Sequence, residues 1–218
     1  MNTPIVAINL KTYTEATGEK AVEIAKFCCE INKEHTAIAC QSTDLERVSK
    51  TGVMTYAEHV DFLTPGSGTG WMTVEAVKEA GATGTILNHS EHRLSQEELE
   101  KCIERAKEHD FSIILCAKDD EEAEKFANLN VDFIAVEPPD MIGGDVSVTT
   151  KPELISDSVK KVKDKNPNMK ILVGAGVKTK EDVAKAIELG AEGVLLASGV
   201  AKASDKKKVI QELVDGIK

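Results

Sequence analysis

The segment Asn88-His89-Ser90-Glu91-His92 carries two imidazoles beside a carboxylate. Such a group can hold a transition metal or transfer protons, and it can also be an ordinary exposed turn. The spacing matches neither of the common zinc motifs, and on a helix Glu91 would turn away from His89. The remaining histidines are scattered and offer no third ligand. We therefore expect no metal here, and we interpret His92 as a surface or packing residue.

Three further polar residues follow short apolar runs. Asn9 and Lys11 end the first run at a spacing that puts both on one face of a strand. Glu137 follows Val136 and precedes two prolines, which stiffen the chain and can hold a carboxylate firmly enough to act as a base. The alternatives are a solvated lysine and a salt-bridged glutamate at the rim.

Two turns rich in small residues are candidates for anion binding. They read Gly174-Ala175-Gly176-Val177 and Leu196-Ala197-Ser198-Gly199. Small side chains let backbone N–H groups approach a phosphate closely. A single such turn is weak support for a phosphate site, and two on the last strands of the chain are stronger.

The segment 140–149, which follows Pro139, is long for a chain whose other connections are short. It contains apolar residues and the pair Gly143-Gly144. Long loops of this kind commonly act as lids. The alternative interpretation is an exposed excursion without function.

Eight apolar runs alternate with helix-like stretches along the whole chain. The runs are 5–10, 36–40, 53–60, 85–88, 112–116, 131–136, 170–173 and 194–197, and the helical stretches are 15–33, 43–50, 72–80, 95–108, 119–128, 152–164, 179–189 and 204–217. Buried runs alternating with helices predict parallel strands. Eight units predict an α/β fold of the (β/α)8 barrel type in one domain, residues 1–218, with a doubly wound open sheet as the alternative. A typical barrel has about 250 residues, so the helices and loops must be shortened.

Several local signals support these elements. Predicted N-terminal caps pair Thr43 with Glu46, Ser95 with Glu98, and Thr179 with Asp182. The stretches 79–87 and 188–196 resemble each other closely and lie four units apart, as in a barrel whose halves are alike.

Composition limits the class of partner. The chain has 218 residues, of which 41% are hydrophobic, and a formal net charge of −10, which disfavours nucleic acid. It has no apolar run of about 18 residues and no leader-like start, so we expect no membrane partner and a cytoplasmic location. Five cysteines without a Cys-x-x-Cys pair predict neither a disulfide framework nor a zinc site.

Taken together, these motifs resemble the triosephosphate isomerase family in its compact archaeal form, a TIM barrel. The matching motifs run in order along nearly the whole chain: 9–13, 57–61, 65–70, 87–91, 136–143, 174–177 and 196–199. The resemblance implies cofactor-independent interconversion of glyceraldehyde 3-phosphate and dihydroxyacetone phosphate through an enediol, in glycolysis and gluconeogenesis. The substrate would be a small phosphorylated triose.

The resemblance also implies roles for particular residues. Glu137 would be the base, His89 the electrophile, and Lys11 the cation for the developing negative charge. The residues implied to bind substrate are Asn9, Lys11, Ile142, Gly143, Gly174, Gly176, Ala197 and Ser198. Asn88 and Glu91 would support them, Glu91 by contacting Lys11.

Three residues depart from the family pattern. His92 stands where arginine is usual, Asp145 lies in the lid, and Glu58 replaces a glutamine of the third strand.

Two alternative functions remain open. The chain could be another phosphate-binding barrel enzyme, or it could be a barrel kept as a binding module.

The loop 65–71, from Pro65 to Trp71, combines small and apolar residues. It is too apolar for a purely solvated turn. We therefore expect a homodimer or homotetramer with this loop in the interface.

Overall fold

The fold is a closed barrel of parallel strands. It is seen in a computed structural model that describes residues 2–138, 147 and 149–217. The strands follow chain order around the barrel and β1 pairs with β8, so the predicted (β/α)8 barrel is confirmed. They are β1 Ile5–Asn9, β2 Thr36–Cys40, β3 Met54–Ala57, β4 Gly84–Leu87, β5 Ser112–Ala117, β6 Phe133–Val136, β7 Lys170–Val173 and β8 Gly193–Leu196.

The helices between the strands are short, as predicted. Within the described ranges they are α1 Glu19–Asn32, α2 Leu45–Ser49, α3 Val74–Glu79, α4 Gln96–Glu108, α5 Asp120–Phe126, α6 Glu153–Lys165, α7 Lys180–Glu188, α8 Ser198–Ala201 and α9 Lys206–Asp215. The predicted helix 15–33 begins only at Glu19, because Gly18 has a φ of 68° that no right-handed helix accepts. Two strands are likewise shorter than the apolar runs that predict them. The run 53–60 gives strand Met54–Ala57, and the run 131–136 gives strand Phe133–Val136.

Two of the three predicted N-terminal caps are confirmed. Ser95 with Glu98 forms a reciprocal capping box on α4, and Thr179 with Asp182 does the same on α7. The cap at Thr43 is wrong, since residues 42–44 form a 3-10 turn and α2 follows without a side-chain cap.

The two faces of each strand pack into different parts of the core. In β1, Ile5 and Ala7 belong to the cluster inside the barrel, whereas Val6 and Ile8 belong to the cluster between strands and helices. This alternation follows from the two-residue period of a strand. Continued by one step, it places Asn9 at the carboxyl mouth of the barrel, where it is only 4% exposed.

Closure of the barrel depends on one glycine at the start of β8. A Cβ at Gly193 would lie 2.2 Å from the backbone oxygen of Ile5. Only a residue without a side chain allows β8 to approach β1 this closely. None of the helices in the described ranges is long and apolar enough to cross a membrane.

Candidate active site

The end of β1 brings a lysine to the mouth of the barrel. The side chain of Asn9 accepts a hydrogen bond from the backbone N–H of Lys11 at 3.1 Å, and Lys11 has a φ of 48°. This left-handed conformation is uncommon for a residue with a side chain and tends to occur at functional sites. The Lys11 ammonium lies 2.9 Å from Glu91 Oε1, so the contact expected between these two residues is present.

Asn88 organises the loop after β4. It is buried with a φ of 60°, and its amide donates to the Cys116 oxygen at 3.1 Å while accepting the Leu94 N–H at 3.1 Å. Arg93 donates to the Asn88 backbone oxygen at 3.2 Å. These bonds link the loop to β5 and fix the position of His89.

His89 and Glu137 meet at the centre of the site. His89 Nε2 lies 3.1 Å from Glu137 Oε1, and both side chains are at least nine-tenths buried. The other ring nitrogen, Nδ1, accepts the backbone N–H of Glu91 at 3.1 Å. Because Nδ1 accepts, a neutral ring carries its proton on Nε2, which faces the carboxylate.

The Glu137 carboxylate is held from several sides. Its backbone N–H donates to the Ala117 oxygen at 2.8 Å, and Oε2 accepts the Ser90 N–H at 3.4 Å. The Cys116 thiol lies against it, and burial together with the Glu137 charge raises the pKa of that thiol well above its ordinary value. Cys116 therefore stays a neutral thiol beside the carboxylate, a contact that no pattern in the sequence predicts.

The two small-residue turns line one hollow together with Glu137. This hollow has a volume of about 590 Å³ and includes the predicted phosphate-binding residues Gly174, Gly176, Ala197 and Ser198. Lys11 lines it as well. The structure therefore brings the predicted anion-binding turns next to the predicted catalytic residues.

Two lysines of this hollow were not predicted. Lys178 and Lys202 both line it, and the Lys202 ammonium lies 4.8 Å from the centre of the Tyr13 ring. They give local positive charge to an acidic protein. The available signal was their place in the sequence, since Lys178 directly follows the first small-residue turn and Lys202 lies three residues after the second, but lysines are frequent and the position alone did not distinguish them.

Gly174 sets the distance between β7 and Glu137. A Cβ at this position would lie 2.6 Å from Glu137 Cγ and 3.0 Å from the Val136 oxygen. We expect Gly174→Ala to displace the carboxylate and lower kcat about 10²-fold, since small displacements of a catalytic group have effects of this size. Steady-state kinetics would measure the loss.

The matched control for this prediction is Gly52→Ala. A Cβ there meets nothing within 4 Å, but Gly52 has a φ of 89°, so the added methyl group strains a turn away from the mouth of the barrel and should lower stability without lowering kcat. Equal kcat for Gly174→Ala and the unmodified protein would contradict the contact described above.

His92 and Arg93, which complete the segment after Asn88, contact other side chains of the fold. The His92 ring packs on His59 with centroids 4.3 Å apart, and Arg93 forms an ion pair with Glu122. No cluster of three or more His, Cys, Asp or Glu side chains suited to a metal occurs within residues 2–138 and 149–217. Among the predicted site residues, Ile142 and Gly143 lie outside the described residues, as does Asp145.

A second hollow of similar volume, about 600 Å³, opens at the opposite end of the barrel. Tyr56, Ser112 and Asp132 line it, and its lining contains neither histidine nor glutamate. Volume alone therefore does not select the site. The carboxyl mouth differs because it holds a buried histidine and a buried glutamate within hydrogen-bond distance of each other, and neither residue type lines the second hollow.

The barrel and the side chains at its carboxyl mouth place this chain in the class of (β/α)8 barrel enzymes. A sequence model described as triosephosphate isomerase matches residues 4–213. The chain belongs to the triosephosphate isomerase family.

Similar proteins cover the chain almost completely. A triosephosphate isomerase of Methanothermus fervidus is 42% identical over 219 residues, with 98% of this chain and 99% of the relative covered. One of Methanosarcina mazei is 41% identical with the same coverage. A crystal structure of triosephosphate isomerase from Bartonella henselae has a TM-score of 0.74 at 19% identity, covering 96% of this chain and 98% of that one, and supports the fold.

Proposed function

We propose that this chain interconverts glyceraldehyde 3-phosphate and dihydroxyacetone phosphate through an enediol intermediate, without a cofactor. Membership of the triosephosphate isomerase family supports this reaction, a step of glycolysis and gluconeogenesis. The observation that carries the proposal is the pairing of His89 with Glu137 at 3.1 Å, with Lys11 lining the hollow beside each of them.

Glu137 acts as the base that removes a proton from the carbon next to the carbonyl. A general base must be held within hydrogen-bond reach of the proton that it takes. The backbone bond to Ala117 and the close packing of Gly174 restrict where this carboxylate can lie. The Ser90 N–H and the neutral Cys116 thiol hold it in the absence of substrate.

His89 polarises the carbonyl oxygen and moves protons between the two oxygens of the enediol. The Glu91 N–H on Nδ1 fixes the ring so that Nε2–H is the donor. In the structure that donor faces Glu137. When the carboxylate turns from the ring to the substrate carbon, the same donor is left to a substrate oxygen. A donor already in position requires no rearrangement as charge develops.

Lys11 stabilises the negative charge that develops on the substrate, and Asn9 orients Lys11 and the substrate. The hydrogen bond between Asn9 Oδ1 and the Lys11 N–H keeps the lysine backbone in its left-handed conformation. Glu91 supports the same lysine through its side chain.

Backbone N–H groups of the last two βα turns bind the phosphate, with Gly174, Gly176, Ala197 and Ser198 supplying the clear approach. Helix α8 begins at Ser198, and the first N–H groups of a helix have no partner within it. Ile142 and Gly143 act in a lid, which we infer from the family resemblance. A closing lid protects the enediol, which loses phosphate when exposed to water.

The test is an assay of the purified protein with glyceraldehyde 3-phosphate. An auxiliary dehydrogenase consumes the dihydroxyacetone phosphate that forms, and NADH oxidation reports the rate. Turnover supports the isomerase. Binding of a triose phosphate without turnover would instead indicate a barrel kept as a binding module.

We further infer that the chain is a homodimer or homotetramer and that residues 65–71 lie in the interface. Within the described ranges Trp71 is the one large hydrophobic residue that is exposed, at 49% of its surface. It packs edge-on against Phe62 at 5.9 Å, and Asp61 ties the base of the loop to Met72. Aromatic side chains, tryptophan among them, are enriched in interfaces relative to the rest of the surface.

Replacement of Trp71 by lysine tests the interface. We expect light scattering at micromolar concentration to report an oligomer for the unmodified protein and a smaller species for Trp71→Lys. Lys33→Met, a change on an exposed loop elsewhere, is the control. A monomeric unmodified protein would contradict the proposal.

We also infer a single domain over residues 1–218 and a cytoplasmic location. The first strand pairs with the last, so no part of the barrel sheet can be separated from the rest. The five cysteines are all free thiols, which is usual in a reducing compartment.

A further inference from the structure

Glu58 is a buried carboxyl group to which the proposed reaction assigns no role. It follows β3 and lies two residues after Tyr56, which faces the interior of the barrel. The two-residue period therefore directs Glu58 to the mouth. There it lines a hollow of about 440 Å³ together with Lys11 and His89.

The Glu58 carboxyl group lacks part of its possible hydrogen bonds. Glu58 Oε1 is buried and accepts no hydrogen bond from any residue within the described ranges. Burial raises the pKa of Glu58 from its ordinary value of 4.5 to about 7, against the lowering effect of the Lys11 backbone N–H and of His89. Glu91 adds to the rise through its negative charge. Near neutral pH the group therefore exists in both its neutral and its ionised form.

The titratable and charged side chains around Glu58 come from four elements. They are Lys11 after β1, Cys40 at the end of β2, His59 and Asp61 in the loop of Glu58 itself, and His89, Glu91 and His92 after β4. Among these groups Lys11 supplies the one ammonium, which contacts Glu91, and the three histidines are engaged with other side chains. The Cys40 thiol is kept neutral because burial raises its pKa, and His59 hydrogen-bonds Asp61 at 3.0 Å.

Lys11 is therefore the cation that responds to the charge of Glu58. Its ammonium rests on Glu91 Oε1, which belongs to an exposed side chain in contact with water. An ionised Glu58 would be a second carboxylate beside the same hollow, and less well hydrated than Glu91. Opposite charges attract more strongly where water is excluded.

We propose that Glu58 is a positioning residue of this active site: its neutral carboxyl leaves the Lys11 ammonium to the substrate, and its ionised carboxylate competes for that ammonium. This inference rests on the proposed function, because isomerase activity is the quantity by which it is measured. Ionisation of Glu58 then lowers the activity as the pH rises through neutrality.

The experiment compares kcat/KM from pH 5.5 to 9 for the unmodified protein and for Glu58→Gln, which keeps the size of the side chain and removes its charge. We expect kcat/KM of the unmodified protein to fall roughly fivefold across pH 7, the effect of one added negative charge several ångströms from the reacting group. Inhibition by inorganic phosphate should weaken in parallel. Glu58→Gln should lack this fall and retain full activity at pH 8.5.

Glu79→Gln is the matched control, because it removes one carboxylate from an exposed position at the end of α3. It should keep the pH profile of the unmodified protein. A profile shared by all three proteins would overturn the proposal. So would a loss of activity in Glu58→Gln that is the same at every pH, since this would indicate a purely structural role.

A second measurement does not depend on the variant. The carboxyl carbon of Glu58 in the unmodified protein can be titrated by NMR, and ionisation near pH 4.5 would also overturn the proposal. Absence of isomerase turnover at every pH would refute the proposed function instead. In that case phosphate binding and the NMR titration would still report whether Glu58 and Lys11 are coupled.

Discussion

Glu137→Gln is expected to lower kcat about 10³-fold, within the range that a positioned general base contributes. The amide has nearly the same shape as the carboxylate but cannot accept the substrate proton. Because the side chain is buried between His89, Ser90 and Gly174, an isosteric change should keep the packing and the thermal midpoint of unfolding nearly unchanged. Steady-state kinetics and thermal unfolding would measure the two effects.

The matched control is Glu104→Gln, the same change on an exposed position of α4. It should leave kcat unaltered. A Glu137→Gln variant with normal turnover would remove Glu137 as the base. If the Glu137→Gln protein fails to fold, Glu137→Asp serves in its place. This variant keeps the negative charge and moves it away from the substrate by the length of one methylene group.

Lys11→Met is expected to lower kcat/KM by about 10² to 10³, the usual cost of removing a group that stabilises charge in a transition state. The unbranched methionine keeps most of the apolar stem and removes the ammonium. Stability should change little, because Glu91, the partner of Lys11, is 62% exposed on its side chain and water replaces the lost ion pair.

The control for this loss is Lys185→Met in the last turn of α7, which breaks an ion pair of the same length, 2.9 Å, with the exposed Glu188, away from the carboxyl mouth of the barrel. It should keep full activity. An equal effect in both variants would show that the loss of net charge, and not the position of Lys11, is responsible. Kinetics over a range of ionic strength would separate these contributions, since distant charges are screened by salt.

The pH dependence of stability offers a further check on Glu58. A folded pKa of about 7 against 4.5 when unfolded means that the folded state binds the proton more tightly. Stability is then highest below pH 4.5 with respect to this group, and it is lost as the pH rises towards 7. Glu58→Gln should therefore unfold at a higher temperature than the unmodified protein at pH 8.

Most of the barrel was predictable because its signals are local. Short apolar runs alternating with helices predict parallel strands, and the caps at Ser95 and Thr179 are short sequence patterns that the structure confirms. The failures have local causes as well. The cap at Thr43 fails where Asp44 is buried and its carboxylate accepts the Gly18 N–H at 2.9 Å, a contact across 26 positions that no local pattern contains.

The sequence alone determined the order of the strands and the family. It also determined the candidate residues Lys11, His89 and Glu137, because each of them follows an apolar run whose end can be recognised in the sequence. Their arrangement was decided only by closure of the barrel. His89 and Glu137 are 48 positions apart and Lys11 and Glu91 are 80 apart, yet both pairs are in contact.

The burial of Glu58 and the left-handed backbone of Lys11 and Asn88 were equally beyond the sequence. The physical reason is that periodicity reports which face of a strand a residue occupies. It does not report which other strand ends surround that residue, and those neighbours determine the charge, the hydration and the backbone conformation at the mouth of the barrel.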